Sequence, residues 1–223
     1  MEAAELIQLV TQGDEQHALR VIEAEPNLAT TRSPAGVSVV CLAMYRRRTA
    51  LAAALAAARS DLDVFEAACV GDLARVKQLV SVDAEQVNAV SPDGFSPVGY
   101  AAFFGHAAVL EVLIARGGRV DVPSQNGMRV QPIHSAAAHA DQAKAVALAR
   151  IVLDAGADPN ARQQAGFTAL HEAAFNGNDA LIALLLARGA APGLLNDEGA
   201  SAADLARTKG HAAALRLLEP DAP

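Results

Sequence analysis

The chain has 223 residues, of which 52% are hydrophobic and 4% aromatic, and its formal net charge is −7 at pH 7. An acidic chain is poorly suited to general binding of phosphate backbones, which needs clustered Lys and Arg. The longest uncharged apolar run, Ala50–Ala58, is far shorter than the roughly 20 residues that span a bilayer. We therefore expect neither nucleic acid nor a membrane among its partners.

Two further features concern the compartment. The N-terminal segment carries Glu2 and Glu5 where a secretory signal would have positive residues, and no continuous apolar run follows. Two cysteines, Cys41 and Cys69, are too few for a disulfide framework and match no metal spacing such as paired CxxC. We expect a soluble chain in the reducing cytoplasm, with both thiols buried or half-buried.

The first part of the chain shows weak copies of a helix-turn-helix pattern. Residues 1–33 hold two short helices separated by Gly13 and Asp14, and we expect an N-terminal capping repeat there. Residues 34–62 begin with Pro34-Ala35-Gly36 and form a degenerate repeat. End repeats are expected to be atypical because one of their faces meets water.

Clearer units follow. Each has a Gly-bearing turn, a short Ala-rich helix and a longer helix with apolar residues at helical spacing. The segment Asp93–His106 returns as Ala165–Asn178, and it fades into Glu198–Asp204. Counted from Pro97 to its equivalents Pro132, Ala169 and Ala202, successive units are 35, 37 and 33 residues apart, close to the period of about 33 expected for a β-turn plus two helices. The units lie at 63–92, 93–125, 126–164 and 165–197, and 198–223 forms a C-terminal capping repeat.

These units resemble ankyrin repeats. The segments Gln131–His134 and Thr168–His171 are similar to the Thr-Pro-Leu-His motif of that family, and alanine pairs such as Ala173-Ala174 would let neighbouring repeats approach closely. The resemblance covers nearly the whole chain. It implies that residues 1–223 form one all-α ankyrin-repeat solenoid of helix-turn-helix units with β-turn or hairpin fingers, about seven repeats including the caps.

The repeat at 126–164 departs from its neighbours. From Ala140 to Gly156 it is about four residues longer than the equivalent segment Gly105–Gly117, which is about one extra helical turn. The extra residues are either a tolerated surface insertion or a bulge that shapes a binding face. The sequence leaves both interpretations open.

Histidines are the obvious candidates for catalysis or metal binding. His134 and His171 end the Thr-Pro-Leu-His-like motif, and His106 and His211 follow the inter-helix glycines. The resemblance implies structural roles for all four, with the motif histidines joining hydrogen bonds between turns. His139 lies five residues after His134, which does not match the i, i+4 pairing of a zinc-binding helix. The sequence contains no nucleotide-binding or nucleophile motif, so we predict no catalytic residue, no cofactor and no metal.

The aromatic residues suggest a different site. In ankyrin-repeat proteins the partner usually contacts the finger tips and the two variable residues before the inter-helix glycine, on the concave face. Projecting that pattern onto this chain places six of its eight aromatic residues on that face, and aromatic side chains are enriched at interface hot spots. The predicted partner-binding residues are Tyr45, Arg46, Phe95, Phe103, Phe104, Met128, Arg129, His139, Phe167, Phe175 and Asn176.

We therefore expect a non-catalytic protein-protein interaction module that is a monomer or a weak homodimer, binding another protein or a peptide. Two alternatives stay open. One is a homo-oligomerising scaffold that associates through Phe103 and Phe104. The other is an enzyme or small-ligand binder that uses Arg129, His139 and Asp141 of the irregular repeat at 126–164, which would need a pocket with convergent polar groups.

Overall fold

A computed structural model describes residues 3–220 of the chain. Within this range the chain forms helices and turns and no β-strand, so the all-α class is confirmed. Two isolated β-bridges, Arg32 with Ser38 and Leu195 with Ser201, lie in the turns. The α-helices are α1 (Ala3–Gln12), α2 (Glu15–Ala24), α3 (Val39–Tyr45), α4 (Thr49–Ala57), α5 (Val64–Val70), α6 (Leu73–Val82), α7 (Pro97–Phe104), α8 (Ala107–Ala115), α9 (Pro132–Ala137), α10 (Gln142–Asp154), α11 (Ala169–Phe175), α12 (Asp179–Ala187), α13 (Ala202–Lys209) and α14 (Ala212–Leu218).

The helices belong to two compact units, one ending at Gly118 and one beginning at Arg119. The first unit contains the helix pairs α1–α2, α3–α4, α5–α6 and α7–α8, and the second contains α9–α10, α11–α12 and α13–α14. Within each unit the first, or inner, helices of neighbouring pairs pack on each other, as α5 does on α3 and α7. The residue boundaries of the repeats stay a prediction, and the ends of the predicted caps, residues 1–2 and 221–223, lie outside the described range.

The inner helices begin at side chains that cap them. Ser38, Ser96 and Ser201 each accept a hydrogen bond from the backbone N–H three residues later. Asp63 does the same for α5, and Glu66 reaches back to the Asp63 N–H to complete a capping box. These bonds satisfy backbone donors that a helix cannot satisfy itself, so each turn directs the chain into the next inner helix.

Alanine fills the contact between inner helices. Ala67 and Ala68 on α5, Ala101 and Ala102 on α7, and Ala173 on α11 are fully buried. A side chain of one carbon keeps helix propensity high and lets two helix backbones approach closely. Larger aliphatic side chains are buried on the outer helices α8 and α12. The predicted division between small inner and bulky outer helices is observed in both units.

The irregular repeat has the longer outer helix that its sequence predicts. Helix α10 has 13 residues, whereas α8 and α12 have 9 each. The difference of four residues corresponds to about one helical turn. The insertion therefore extends a helix and does not form a loop.

Gly166 lies in the turn before α11 and has φ +73°, a left-handed conformation that residues with a Cβ rarely adopt. A Cβ on this buried residue would contact the ends of the Arg162 and Asp197 side chains, which form an ion pair at 3.2 Å. The turn therefore needs glycine for its backbone angle, and a side chain at this position would also displace the exposed ends of Arg162 and Asp197.

We expect Gly166→Val to lower the free energy of unfolding by about 1–3 kcal/mol, because valine would be strained at positive φ. Urea unfolding would measure the change. Gly127→Val is the matched control, since a Cβ at Gly127 meets no atom within 4 Å and Gly127 is not among the positive-φ glycines. Equal stability of the two variants would contradict the assigned turn.

Candidate functional site

Six aromatic residues of the first unit form one contiguous group, which we call the aromatic cluster: Tyr45, Phe65, Phe95, Tyr100, Phe103 and Phe104. The ring centroids of Phe103 and Phe104 are 5.0 Å apart, and those of Tyr45 and Phe104 are 5.3 Å apart. Both pairs are tilted or edge-on, the arrangements that aromatic rings prefer. Four of the predicted partner-binding residues are thus brought together, and Phe65 and Tyr100 join them.

A carboxylate holds the cluster together. The Tyr45 hydroxyl donates to Asp93 Oδ2 at 2.7 Å, and the Tyr100 hydroxyl donates to Asp93 Oδ1 at the same distance. Ser91 donates a third hydrogen bond to this carboxylate at 2.5 Å. Burial raises the pKa of both tyrosines well above the ordinary value of 10, and Asp93 raises both further. Both phenols therefore stay protonated and donate hydrogen bonds at every physiological pH.

Tyr45 reaches across a whole helix pair. It lies on α3 in the second pair, whereas Asp93, Phe103 and Phe104 belong to the fourth. The equivalent positions of the third pair carry the smaller Cys69 and Val70, which leave space for a ring to pass over them. The contact therefore links two repeats that are not neighbours in sequence.

The cluster has a buried base and an exposed edge. Tyr100 is 2% exposed, whereas Phe103 is 45% exposed. Tyr45, Phe95 and Phe104 are half-buried among the other rings. The arrangement presents one apolar ring to solvent on a support fixed by hydrogen bonds and ring packing.

The predicted residues of the second unit are more dispersed. Phe175 is 41% exposed, and the Lys209 ammonium lies 4.1 Å from its ring centroid in a cation-π contact. Asn176 donates to Glu172 at 3.1 Å. The Phe167 ring packs at 5.5 Å on His171. These residues line the ends of α11 and α13 and do not form a common cluster.

The finger before α9 carries two further predicted residues. Met128 is 47% exposed, and its carbonyl accepts a hydrogen bond from Gln164 N at 2.9 Å. Arg129 is exposed and has φ +51°, which is unusual for a residue with a side chain. A shallow groove of about 170 Å³ lies here, lined by Met128, Val130 and residues 163–165.

Sequence reasoning did not identify Asp93, Tyr100 and Phe65 as parts of the site. Tyr100 follows Gly99, which occupies the place of the motif histidine in this repeat. In this repeat the motif histidine is absent, a tyrosine follows its position, and Asp93 lies in the preceding turn. This combination could have indicated a local change of hydrogen bonding. Nothing in the sequence indicated that Tyr100 would contact Tyr45, because these two residues are 55 positions apart.

The motif histidines have structural hydrogen bonds. His134 Nδ1 accepts from Gln131 N at 3.1 Å, and Nε2 donates to Ala161 O at 2.9 Å in the following turn. His171 makes the same pair of bonds with Thr168 N and Ala200 O. Each ring thereby joins the start of its own helix to the next finger, as the resemblance implied.

The other two histidines connect neighbouring helix pairs. His106 Nε2 donates to Cys69 O at 2.9 Å, and His211 Nε2 donates to Phe175 O at 3.2 Å. Each ring lies against the inter-helix glycine of the preceding pair, where a Cβ would collide with it. In the third pair a carboxylate one position after the place of the motif histidine takes over its bond to the helix start. Glu66 is fully buried, accepts from Asp63 N at 3.0 Å and binds Arg59 at 2.6 Å.

The residues of the alternative small-ligand site make local contacts. His139 Nδ1 accepts from Asp141 N at 3.2 Å, and Asp141 caps α10 by accepting from Lys144 N at 3.0 Å. The backbone hydrogen bond from Lys144 lowers the pKa of Asp141 below its ordinary value. A broad open cavity of about 580 Å³ lies beside the start of α10 and is lined by Gln142, Ala143, Val146 and residues 177–180.

Residues 3–220 contain neither a metal-binding cluster nor a membrane-spanning helix. No group of three or more His, Cys, Asp or Glu side chains in this part of the chain is placed to hold a metal ion. No helix in the same range is long and apolar enough to cross a membrane.

We expect Asp93→Ala to lower the free energy of unfolding by about 1–3 kcal/mol, because the Tyr45 and Tyr100 hydroxyls lose their shared acceptor. Asp121→Ala, at an exposed carboxylate paired with Arg119, should stay within about 0.5 kcal/mol of the wild type. Adding Tyr100→Phe to Asp93→Ala should cost less than the sum of the single changes. Additive losses in urea unfolding would contradict the shared-acceptor arrangement.

Burial lowers the pKa of His134 and of His171 below the ordinary value of 6.5. Below about pH 6.5 the unfolded chain therefore binds more protons than the folded one, so the free energy of unfolding falls as the pH drops through this range and is unaffected above it. His134→Gln should reduce this acid sensitivity. His17→Gln, at a half-exposed side chain, is the control; equal pH dependence of the wild type and His134→Gln would refute the assignment.

Comparison with known proteins also identifies ankyrin repeats in this chain. The family model for ankyrin repeats in three copies matches residues 64–163, and that for ankyrin repeats in many copies matches residues 152–206. The chain is 33% identical over 118 residues to the probable E3 ubiquitin-protein ligase XBOS34 of Oryza sativa subsp. japonica. That alignment covers 52% of this chain and 22% of the relative, so the chain spans only a small part of the relative's length. Together the two family matches cover residues 64–206, more than half of the chain and including both helix pairs with motif histidines: the chain belongs to the ankyrin-repeat family.

Proposed function

We propose that this chain is a non-catalytic protein-interaction module that binds another protein or a peptide through its inner-helix ends and fingers. Ankyrin repeats are generally protein-interaction modules, and the observation that carries the proposal here is Phe103. Its ring is 45% exposed although the other members of its cluster are buried or half-buried. An apolar ring that is exposed on a rigid support loses little conformational freedom on binding, which favours a hot spot.

The second unit supplies a smaller contact of the same type. Phe175 occupies in α11 the place that Phe103 occupies in α7, and it is also exposed at 41%. Lys209 beside its ring and Met128 on the finger add a polar and an apolar group. An apolar centre with polar surroundings is the usual composition of a protein interface. Arg46 belongs to the proposed site of the first unit as a rim group, and Arg129, His139, Phe167 and Asn176 belong to that of the second unit as rim or supporting groups.

The local hydrogen bonds of His139 and Asp141 support the non-catalytic part of the proposal. Both groups bind backbone N–H groups of their own turn, whereas a catalytic pair would converge on one point in a pocket. The free, buried thiols Cys41 and Cys69 support action in the reducing cytoplasm, where disulfides are rare.

Affinity capture from a lysate of the source organism tests the proposal. Three baits are compared: the wild type, Phe103→Ser and Val82→Ser. Val82 is the matched control because it is 84% exposed and lies at the end of an outer helix. We expect a protein that the wild type and Val82→Ser retain and that Phe103→Ser retains at least about tenfold less, which corresponds to the loss of a hot spot of about 1.4 kcal/mol or more.

Circular dichroism must first show that the three baits are equally folded. Retention of the same proteins by all three would refute a site at Phe103. Sedimentation velocity over a concentration series tests the homo-oligomer alternative. A dimer of the wild type that Phe103→Ser abolishes would make the aromatic cluster a self-association surface.

A further inference from the structure

Two exposed arginines border the aromatic cluster. Arg46 and Arg47 follow Tyr45 directly, at the end of α3. We propose that the site at Phe103 recognises an acidic segment of another protein, in which an apolar side chain covers Phe103 and neighbouring carboxylates bind Arg46 and Arg47. This inference rests on the proposed function and specifies the chemistry of the partner.

The charge of these arginines is available to a partner. Neither side chain forms an ion pair with any residue in the described range 3–220, whereas the side chain of the adjacent Arg48 donates to Leu9 O at 2.8 Å. Some exposed arginines, such as Arg119, are paired with carboxylates, and others, such as Arg116 and Arg150, form no ion pair in the described range. What distinguishes Arg46 and Arg47 is their place: they follow Tyr45, whose ring centroid is 5.9 Å from that of the exposed Phe103.

The backbone of Arg47 is a second, independent observation. Its φ is +58°, at the position where other repeats have Gly71 (φ +79°), Gly105 (φ +84°) and Gly177 (φ +62°). A residue with a Cβ is strained there, and strain of this type is concentrated at ligand-binding sites, where the side chain is needed. Glycine would suit the turn better, so the arginine at position 47 carries a backbone cost that a role of its side chain in binding would account for.

The two features together select an acidic partner. Guanidinium groups bind carboxylates through two parallel hydrogen bonds, and arginine is enriched at interfaces beside aromatic residues. A nucleic acid would also present anionic groups. However, a net charge of −7 repels an extended polyanion, and two arginines neutralise few phosphates. A short acidic segment needs only the two local charges.

Selection from a phage-displayed library of short peptides tests this inference. Each peptide has one central leucine or phenylalanine and flanking positions drawn from glutamate, glutamine, lysine and serine. The immobilised proteins are the wild type, Arg46→Gln, Arg47→Gly, the control Arg20→Gln and Phe103→Ser. Arg20 is an exposed residue of the outer helix α2, so its substitution changes the net charge equally at a distant place.

We expect the wild type and Arg20→Gln to enrich glutamate beside the apolar residue. Synthetic copies of the enriched peptides should bind Arg46→Gln and Arg47→Gly about two- to fivefold more weakly at low salt, as for exposed ion pairs, and the difference should shrink at high salt. Phe103→Ser should enrich no class of peptide. Arg47→Gly should melt at a higher temperature than the wild type, because it relieves the backbone strain.

The remaining outcomes separate the two proposals. Enrichment of neutral or basic apolar peptides, lost only in Phe103→Ser, would overturn the acidic partner and leave the proposed function intact. Enrichment that Phe103→Ser does not affect, or no enrichment by any protein, would count against both. Competition of the selected peptides by single-stranded DNA, or a dimer in sedimentation velocity that Arg47→Gly abolishes, would also overturn the acidic partner in favour of a nucleic acid or a second copy.

Discussion

The close contact between alanine-lined inner helices is the constraint on which the rest of the structure depends. A repeat of two short helices cannot bury its apolar surface alone, and stacking within each unit supplies the missing contact. Because Ala67, Ala68, Ala101 and Ala102 are fully buried between neighbouring inner helices, these surfaces have no space for a ring. Apart from the buried Tyr100, the large aromatic side chains of the cluster therefore lie near the helix ends and in the fingers, where one edge of the cluster meets solvent.

The bonds between turns keep a constant geometry while their chemistry varies. His134 and His171 join the backbone of their own helix start to the next turn with a neutral ring. Glu66 performs the first part of that role as a buried carboxylate and obtains its second partner from Arg59. A buried ion pair has a larger desolvation cost than an imidazole, so the third repeat uses a more expensive solution for the same connection. In the fourth repeat Gly99 stands at the histidine position and has no side chain that could form this bond. The hydrogen bonds of Asp93 with Tyr45 and Tyr100 stabilise that repeat instead.

Much of the fold could be predicted from the sequence, because it depends on local signals with a fixed period. The serine caps, the alanine pairs, the positive φ of Gly166 and the longer helix α10 all follow from residues close together in the chain. The site could be predicted only in part. The position of Tyr45, Phe103 and Phe104 within their repeats placed all three on one face. How many helix pairs an aromatic ring can cross, however, depends on its rotamer and on the size of the side chains beneath it. For this reason the roles of Asp93 and Tyr100 were not predicted.

Tyr45 has a consequence for how the first unit unfolds. In a simple repeat array each repeat contacts only its neighbours, so its energetics can be treated as a chain of nearest-neighbour terms. The hydrogen bond from Tyr45 to Asp93 connects the second and fourth helix pairs directly. The third helix pair lies between the two pairs that this hydrogen bond joins, and it does not itself form the bond. It therefore cannot open alone without disturbing the second and fourth pairs. We therefore expect the three repeats to unfold as one cooperative block, and fraying from the N-terminal end to stop at Tyr45.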